Sequence, residues 1–125
     1  MVKTLVSMLA VFAILIVGSF CETAYINKEF SELNGVLTVL YDKIDQEVAT
    51  EDDVLAVQNF WLNKKEHLHA FIPHTEIKEV DLWLAEAVTL VRDKEWADAI
   101  SKIEVLIELS EQIPKTFLIR WENVL

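Results

Sequence analysis

The sequence predicts an all-α protein: an N-terminal transmembrane helix that continues into an antiparallel four-helix bundle or two stacked helical hairpins. Three observations carry this. Glycine and proline are scarce, two of each, so a β-rich chain would lack the residues its turns need. Thr4 to Cys21 contains no charged residue, and a helix of that length spans about 27 Å, close to the bilayer's hydrocarbon core of about 30 Å. Beyond Cys21, apolar residues recur at steps of three and four through four segments separated by short breaks.

The first segment reads as an uncleaved anchor, residues 4–21 lying in the bilayer. Its apolar run is longer than that of a cleaved signal, and its exits are poor: no Ala-x-Ala occurs, and Phe20 is bulky just before Cys21. Lys3 is the only charged side chain ahead of Glu22. The positive-inside bias therefore predicts a single-pass cell-membrane protein, N-terminus cytoplasmic and the rest extracytoplasmic.

From Glu22 to Asn34 nothing breaks a helix, so the span is expected to run on as a rod of about 45 residues, roughly 68 Å. Ile26, Phe30, Leu33, Leu37, Leu40, Ile44 and Val48 form its apolar stripe. Gly35 lies off the stripe and costs about 1 kcal/mol relative to alanine. Ala49 to Asp53 is the first break, where Thr50 or Asp52 can cap a second helix. That helix should run from about Asp53 to Ile72 with Val54, Val57, Trp61, Leu68 and Phe71 inward. Lys64 and Lys65 interrupt its face, and their stems can cover apolar surface. Pro73 stops it, and Thr75 is the expected cap of a third helix through Ile77, Val80, Leu84, Ala87, Val88 and Val91. Arg92 to Lys94 makes the next turn, with Asp93 as a cap for the fourth helix. That helix carries Trp96, Ala99, Ile100, Ile103, Leu106, Ile107 and Ile113, and Pro114 is expected to close it. The chain thus divides into an anchor (1–21), an extracytoplasmic helical domain (22–114) and an apolar tail (115–125) packed on the bundle.

Twenty-one acidic against eleven basic residues give a net charge of −10. A polyanion of this kind repels phosphate backbones, so no nucleic-acid partner is expected. The lone cysteine, Cys21, excludes an internal disulfide framework.

The order of parts is similar to a known family. The apolar start is followed by Trp61-Leu62-Asn63-Lys64-Lys65, then Phe71-Ile72-Pro73-His74-Thr75-Glu76-Ile77, Asp93-Lys94-Glu95-Trp96-Ala97 and the ending Glu122-Asn123-Val124-Leu125. Together they resemble a family of small bacterial membrane-anchored proteins catalogued as domain of unknown function 4363, mostly from Gram-positive organisms. The resemblance implies an exported helical domain and no particular activity or site residue.

Chemical constellations are thin. Glu66-x-x-His69 is half of a di-metal carboxylate motif and has no second half in the chain. His67 and His69 lie about 200° apart on a helix and cannot share an ion, and His74 follows Pro73. Glu47, Glu51, Asp52 and Asp53 lack the alternating oxygens and central glycine of a calcium loop. No base adjoins Cys21 to activate it. No cofactor, metal or catalytic residue is therefore expected, and the chain is not expected to be an enzyme. Of four tryptophans, Trp61 and Trp96 lie on apolar stripes. Trp83 and Trp121 lie beside them and are the candidates for a partner surface or groove. The expected function is a non-enzymatic protein-interaction module whose partner is a membrane-protein neighbour or a second copy. The alternative is a ligand-sensing domain with a groove between helix pairs.

Overall fold

One helix, α1 (Val2–Asp45), runs unbroken for 44 residues, about 66 Å at 1.5 Å per residue. The computed structural model describes the backbone of residues 1–124 and the side chains of residues 1–119. Three more helices follow: α2 (Glu51–Leu68), α3 (His74–Arg92) and α4 (Trp96–Val124), with no strand among the described residues. Each packs against its neighbours in the chain, and α4 closes back onto α1. This is the four-helix ring among the two expected arrangements. The α1–α4 seam is the most extensive and the α1–α2 seam the thinnest.

The core follows from the apolar stripes. On α1, Ile26, Phe30, Leu33, Leu37, Leu40 and Ile44 are buried, every one at the predicted spacing. They meet Val54, Val57, Trp61 and Leu68 of α2, Ile77, Val80, Leu84, Ala87 and Val91 of α3, and Ala99, Ile103 and Leu106 of α4. Trp61 is the largest fully buried side chain and lies 6.2 Å, centroid to centroid, from Phe30. The α1 side chains below this core are bare. Leu5, Phe12, Ile14 and Phe20 are exposed, and the most apolar window of α1, with mean hydropathy 2.4, has none of its residues buried. One helix therefore carries two surfaces, an apolar stripe in its upper part and an apolar cylinder in its lower part.

The helix ends explain how so few glycines suffice. Glu47 and Lys94 take left-handed conformations, φ 60° and 57°. Each follows a C-cap residue and lets the next N–H reach back five residues: Val48 N to Lys43 O and Glu95 N to Leu90 O, both 2.9 Å. Paired bonds run from Glu47 N to Ile44 O and Lys94 N to Val91 O. This is the geometry glycine usually supplies. At the start of α2 the Thr50 hydroxyl accepts from Asp53 N while the Asp53 carboxylate accepts from Thr50 N at 2.9 Å, a reciprocal cap.

Four local expectations are corrected. Val48 lies past the end of α1 and is 59% exposed, its place in the core taken by Ala49. Thr75 does not cap α3: the Pro73 carbonyl accepts from Glu76 and Ile77, so the helix has already begun at His74. Asp93 is the C-cap of α3 rather than a cap of α4. Pro114 does not close α4 but lies inside it. A proline there removes one backbone hydrogen bond and costs about 3 kcal/mol in a helix interior. Burial of Ile113 and Phe117 on either side of it returns a comparable amount, at about 1.5–3 kcal/mol per apolar side chain. The segment read as a separate tail is, as far as Val124, the last part of α4.

Candidate functional site: a groove between the first two helices

Between α1 and α2 the side chains leave space unfilled at the surface. Gly35, Val36, Val39 and Leu40 of α1 and Ala56, Val57 and Phe60 of α2 line a groove of ≈ 520 Å³. Its floor is Leu40 and Val57, both part of the core. Val39 remains 59% exposed. Glu32, Lys43 and Asp53 stand at the rim. A Cβ built on Gly35 would meet nothing within 4 Å, so the glycine is there for no backbone contact within this chain.

Ion pairs close the groove at both ends. Near the end closer to Cys21, Lys64 of α2 reaches across to α1, with its Nζ 2.6 Å from Glu29 Oε2 and also bonded to Glu32. The Lys64 and Glu29 side chains are only 15% and 13% exposed, and the ammonium also lies 4.8 Å from the centre of the Phe60 ring. Burial works to lower the Lys64 pKa, and the hydrogen bonds and charges of Glu29 and Glu32 outweigh it, so the net movement is upward. The hydrogen bond from Lys64 holds Glu32 below the usual carboxylate range. At the other end Lys43 Nζ meets Asp53 Oδ1 at 3.1 Å. The Thr50 backbone N–H, reinforced by Lys43, depresses the Asp53 carboxyl. The two lysines thus tie α1 to α2 on either side of the groove, above the shared core that Phe30 and Trp61 form.

The α1–α4 seam is built differently. Asn34 Nδ2 donates to Ser110 Oγ at 3.0 Å, and the buried Ser110 donates in turn to the Ile107 carbonyl at 2.6 Å. Tyr41 donates to Glu104 at 3.3 Å. Burial, together with the Glu104 charge, pushes the Tyr41 phenol up. Across α2 and α3, the indole N–H of Trp61 donates to Asp81 at 2.7 Å, and Lys65 pairs with the same carboxylate at 3.1 Å.

Of the residues singled out from the sequence, Trp83 does not line the groove. It is half-buried on α3, and Lys102 of α4 sits 4.5 Å from its ring centre, a cation–π contact that spends its exposed face within the fold. The side chain of Trp121 lies outside the described residues. The turn after α2 brings the His69 and His74 rings together at 5.8 Å, stacked, which helical spacing alone does not foresee. Among the described residues no group of three metal-ligating side chains converges, and Cys21 is free and exposed on α1. The groove residues carried a faint sequence signal: Val36 and Val39 form a second apolar strip beside the main one, interrupted by Gly35.

The geometry defines a class: a small all-α chain in which one helix serves both as a bare apolar rod and as a wall of a four-helix bundle with a groove in its side. The family model described as Domain of unknown function (DUF4363) matches residues 20–124, and the chain belongs to that family. The match takes in the whole bundle and begins where the bare apolar segment ends. No curated protein and no solved structure matches the chain.

Proposed function

We propose that this is a single-pass, non-enzymatic envelope protein. In this reading residues 4–21 span the membrane, Lys3 lies on the cytoplasmic side, and the extracytoplasmic bundle receives an apolar helix face of a membrane-protein neighbour in the α1–α2 groove. The observation that carries the reading is the pairing of an unburied apolar half of α1 with an open apolar groove on the other half of the same helix. An apolar cylinder of this length cannot be left in water, and a bilayer covers it with no further structure. The groove is lined by short apolar side chains with charges only at its rim, the composition expected where an amphipathic helix lays its apolar face. The titratable groups around it are engaged in bridging and capping, a structural use that supports a binding role over a chemical one.

A photo-crosslinking amino acid at Val39, irradiated in intact membranes, tests the reading. A discrete light-dependent protein adduct, lost when the photo-crosslinking residue is placed instead at the exposed Ser101 position, is the expected result; monomer alone at every dose would remove the proposal. The second reading, an apolar small-molecule site, is favoured by one observation. The groove volume of ≈ 520 Å³ lies within the range of small-molecule pockets, about 300–1,000 Å³. Native mass spectrometry of the detergent-extracted protein would reveal a bound compound in that case.

A further inference from the structure

The bundle is not uniform from end to end. Ser110 of α4 pairs with Asn34 of α1, and Glu104 with Tyr41, so each step forward along α4 is a step back toward Cys21 along α1. Extending that register brings Leu118 and Ile119 level with Ile26 and Tyr25, and the end of α4 at Val124 level with Phe20. The turn between α2 and α3 reaches the same height, since Phe71 lies against Tyr25 with ring centroids 6.1 Å apart. On this lower end Leu118 and Ile119 are 42% and 56% exposed.

Charge is divided along the same axis. The lower half of the bundle, residues 22–32, 62–80 and 112–124, holds seven acidic and six basic residues. The upper half, residues 33–61 and 81–111, holds fourteen acidic and four basic. All three histidines also fall in the lower half. The chain's acidity, which as a whole would repel an anionic lipid surface, is thus confined to the end that points away from the apolar rod.

We propose that the lower end of the bundle is seated on the lipid headgroups, with Leu118 and Ile119 of α4 entering the interface beside the α1 span. The proposal rests on the reading of residues 4–21 as the anchor. By this register Leu118 and Ile119 stand only five and four residues above Cys21, about 6–7.5 Å along the helix, and each headgroup layer is about 5–7.5 Å deep. No spacer separates span from bundle, because α1 passes from one to the other without a break. Apolar side chains at that depth lose water without meeting the cost of full insertion. Lys28, Lys78 and Lys115 lie within the same lower half, where ammonium groups meet lipid phosphates. The partner surface is therefore the phospholipid interface itself.

The test uses the full chain, with Cys21→Ser, in vesicles of phosphatidylcholine and phosphatidylglycerol, carrying one nitroxide label at a time: at Leu9→Cys in the span, at Ile119→Cys at the lower end, or at Asp98→Cys at the upper end. Collision rates with oxygen and with a water-soluble nickel chelate report depth. The expected result is a deep label at position 9, a label at 119 with a marked loss of nickel collisions and gain of oxygen collisions relative to 98, and a fully nickel-accessible label at 98. If 9 is deep while 119 is as nickel-accessible as 98, the bundle stands off the bilayer; the seating is then overturned and the anchor stands. If 9 is itself nickel-accessible, both the anchor and the seating fall. Unchanged helical circular dichroism in each labelled chain guards against misfolding.

Discussion

The two seams that α1 makes with its neighbours are opposites. Against α4 it is closely packed, with polar groups satisfied inside the seam by Asn34, Ser110 and the Ile107 carbonyl. Against α2 it leaves a groove lined by Gly35, Ala56 and short apolar side chains, and charges span it from Lys64 to Glu29 and from Lys43 to Asp53. Close packing gives stability that is insensitive to what binds. A seam whose outer side is bridged by ion pairs around an open groove leaves apolar surface available and is the part of the fold that can respond to an occupant.

The contrast can be broken from the packed side first. Leu37→Ala, at a fully buried side chain of the α1 stripe, should cost about 3–5 kcal/mol, as buried leucine truncations do. Urea unfolding of the full chain in mild detergent, followed by circular dichroism, measures it. Lys64→Ala, on the open side, leaves the mostly buried Glu29 carboxylate without its partner and should cost about 1–2 kcal/mol in the same assay, discounted for the exposed Glu32. A loss equal to that of Leu37→Ala would mean that the two seams do not differ as described.

Gly35→Ala sharpens the comparison with the opposite sign. The new methyl meets nothing within 4 Å and the helix gains about 1 kcal/mol. The same variant narrows the groove, so adduct formation at Val39 should fall while the melting temperature rises. Stability and capture moving together would separate the groove from the binding reading. The smallest effect is expected from acid. Asp53 and Glu32 have pKa values below their ordinary ones, so their contribution is complete above the unfolded-state values and fades as pH falls through the lower folded-state ones. A melting temperature that drops below about pH 4, and drops less steeply in Asp53→Asn, is the expected pattern.

Much of this fold is written in the sequence as periodicity. The α1 stripe from Ile26 to Ile44 and the unbroken rod are legible because a helix buries every third or fourth residue whatever it packs against. Pro114 is not legible as a helix interior, because its cost is local and visible, whereas the burial of Ile113 and Phe117 that offsets it is tertiary. The groove is hidden for a related reason. Gly35 and Ala56 lie on different helices and mean nothing separately; only the packing of α1 beside α2 brings them to one groove. Lys64 reads in sequence as an intruder on an apolar face, and its reason, two glutamates on another helix, lies about thirty residues away.

The continuity of α1 fixes more than height. An unbroken helix turns by about 100° per residue, so the compass direction in which the groove opens is locked to the face that the lower half turns toward its surroundings. Insertion of one residue between Cys21 and Tyr25 would swing the groove by about 100° and raise it by about 1.5 Å. Insertion of seven would return it to within about 20° of its original heading. Capture at Val39 should therefore fail with one added residue and recover with seven. In this chain the helical phase between lower rod and groove is itself an inherited trait, set by the number of residues rather than by any one of them.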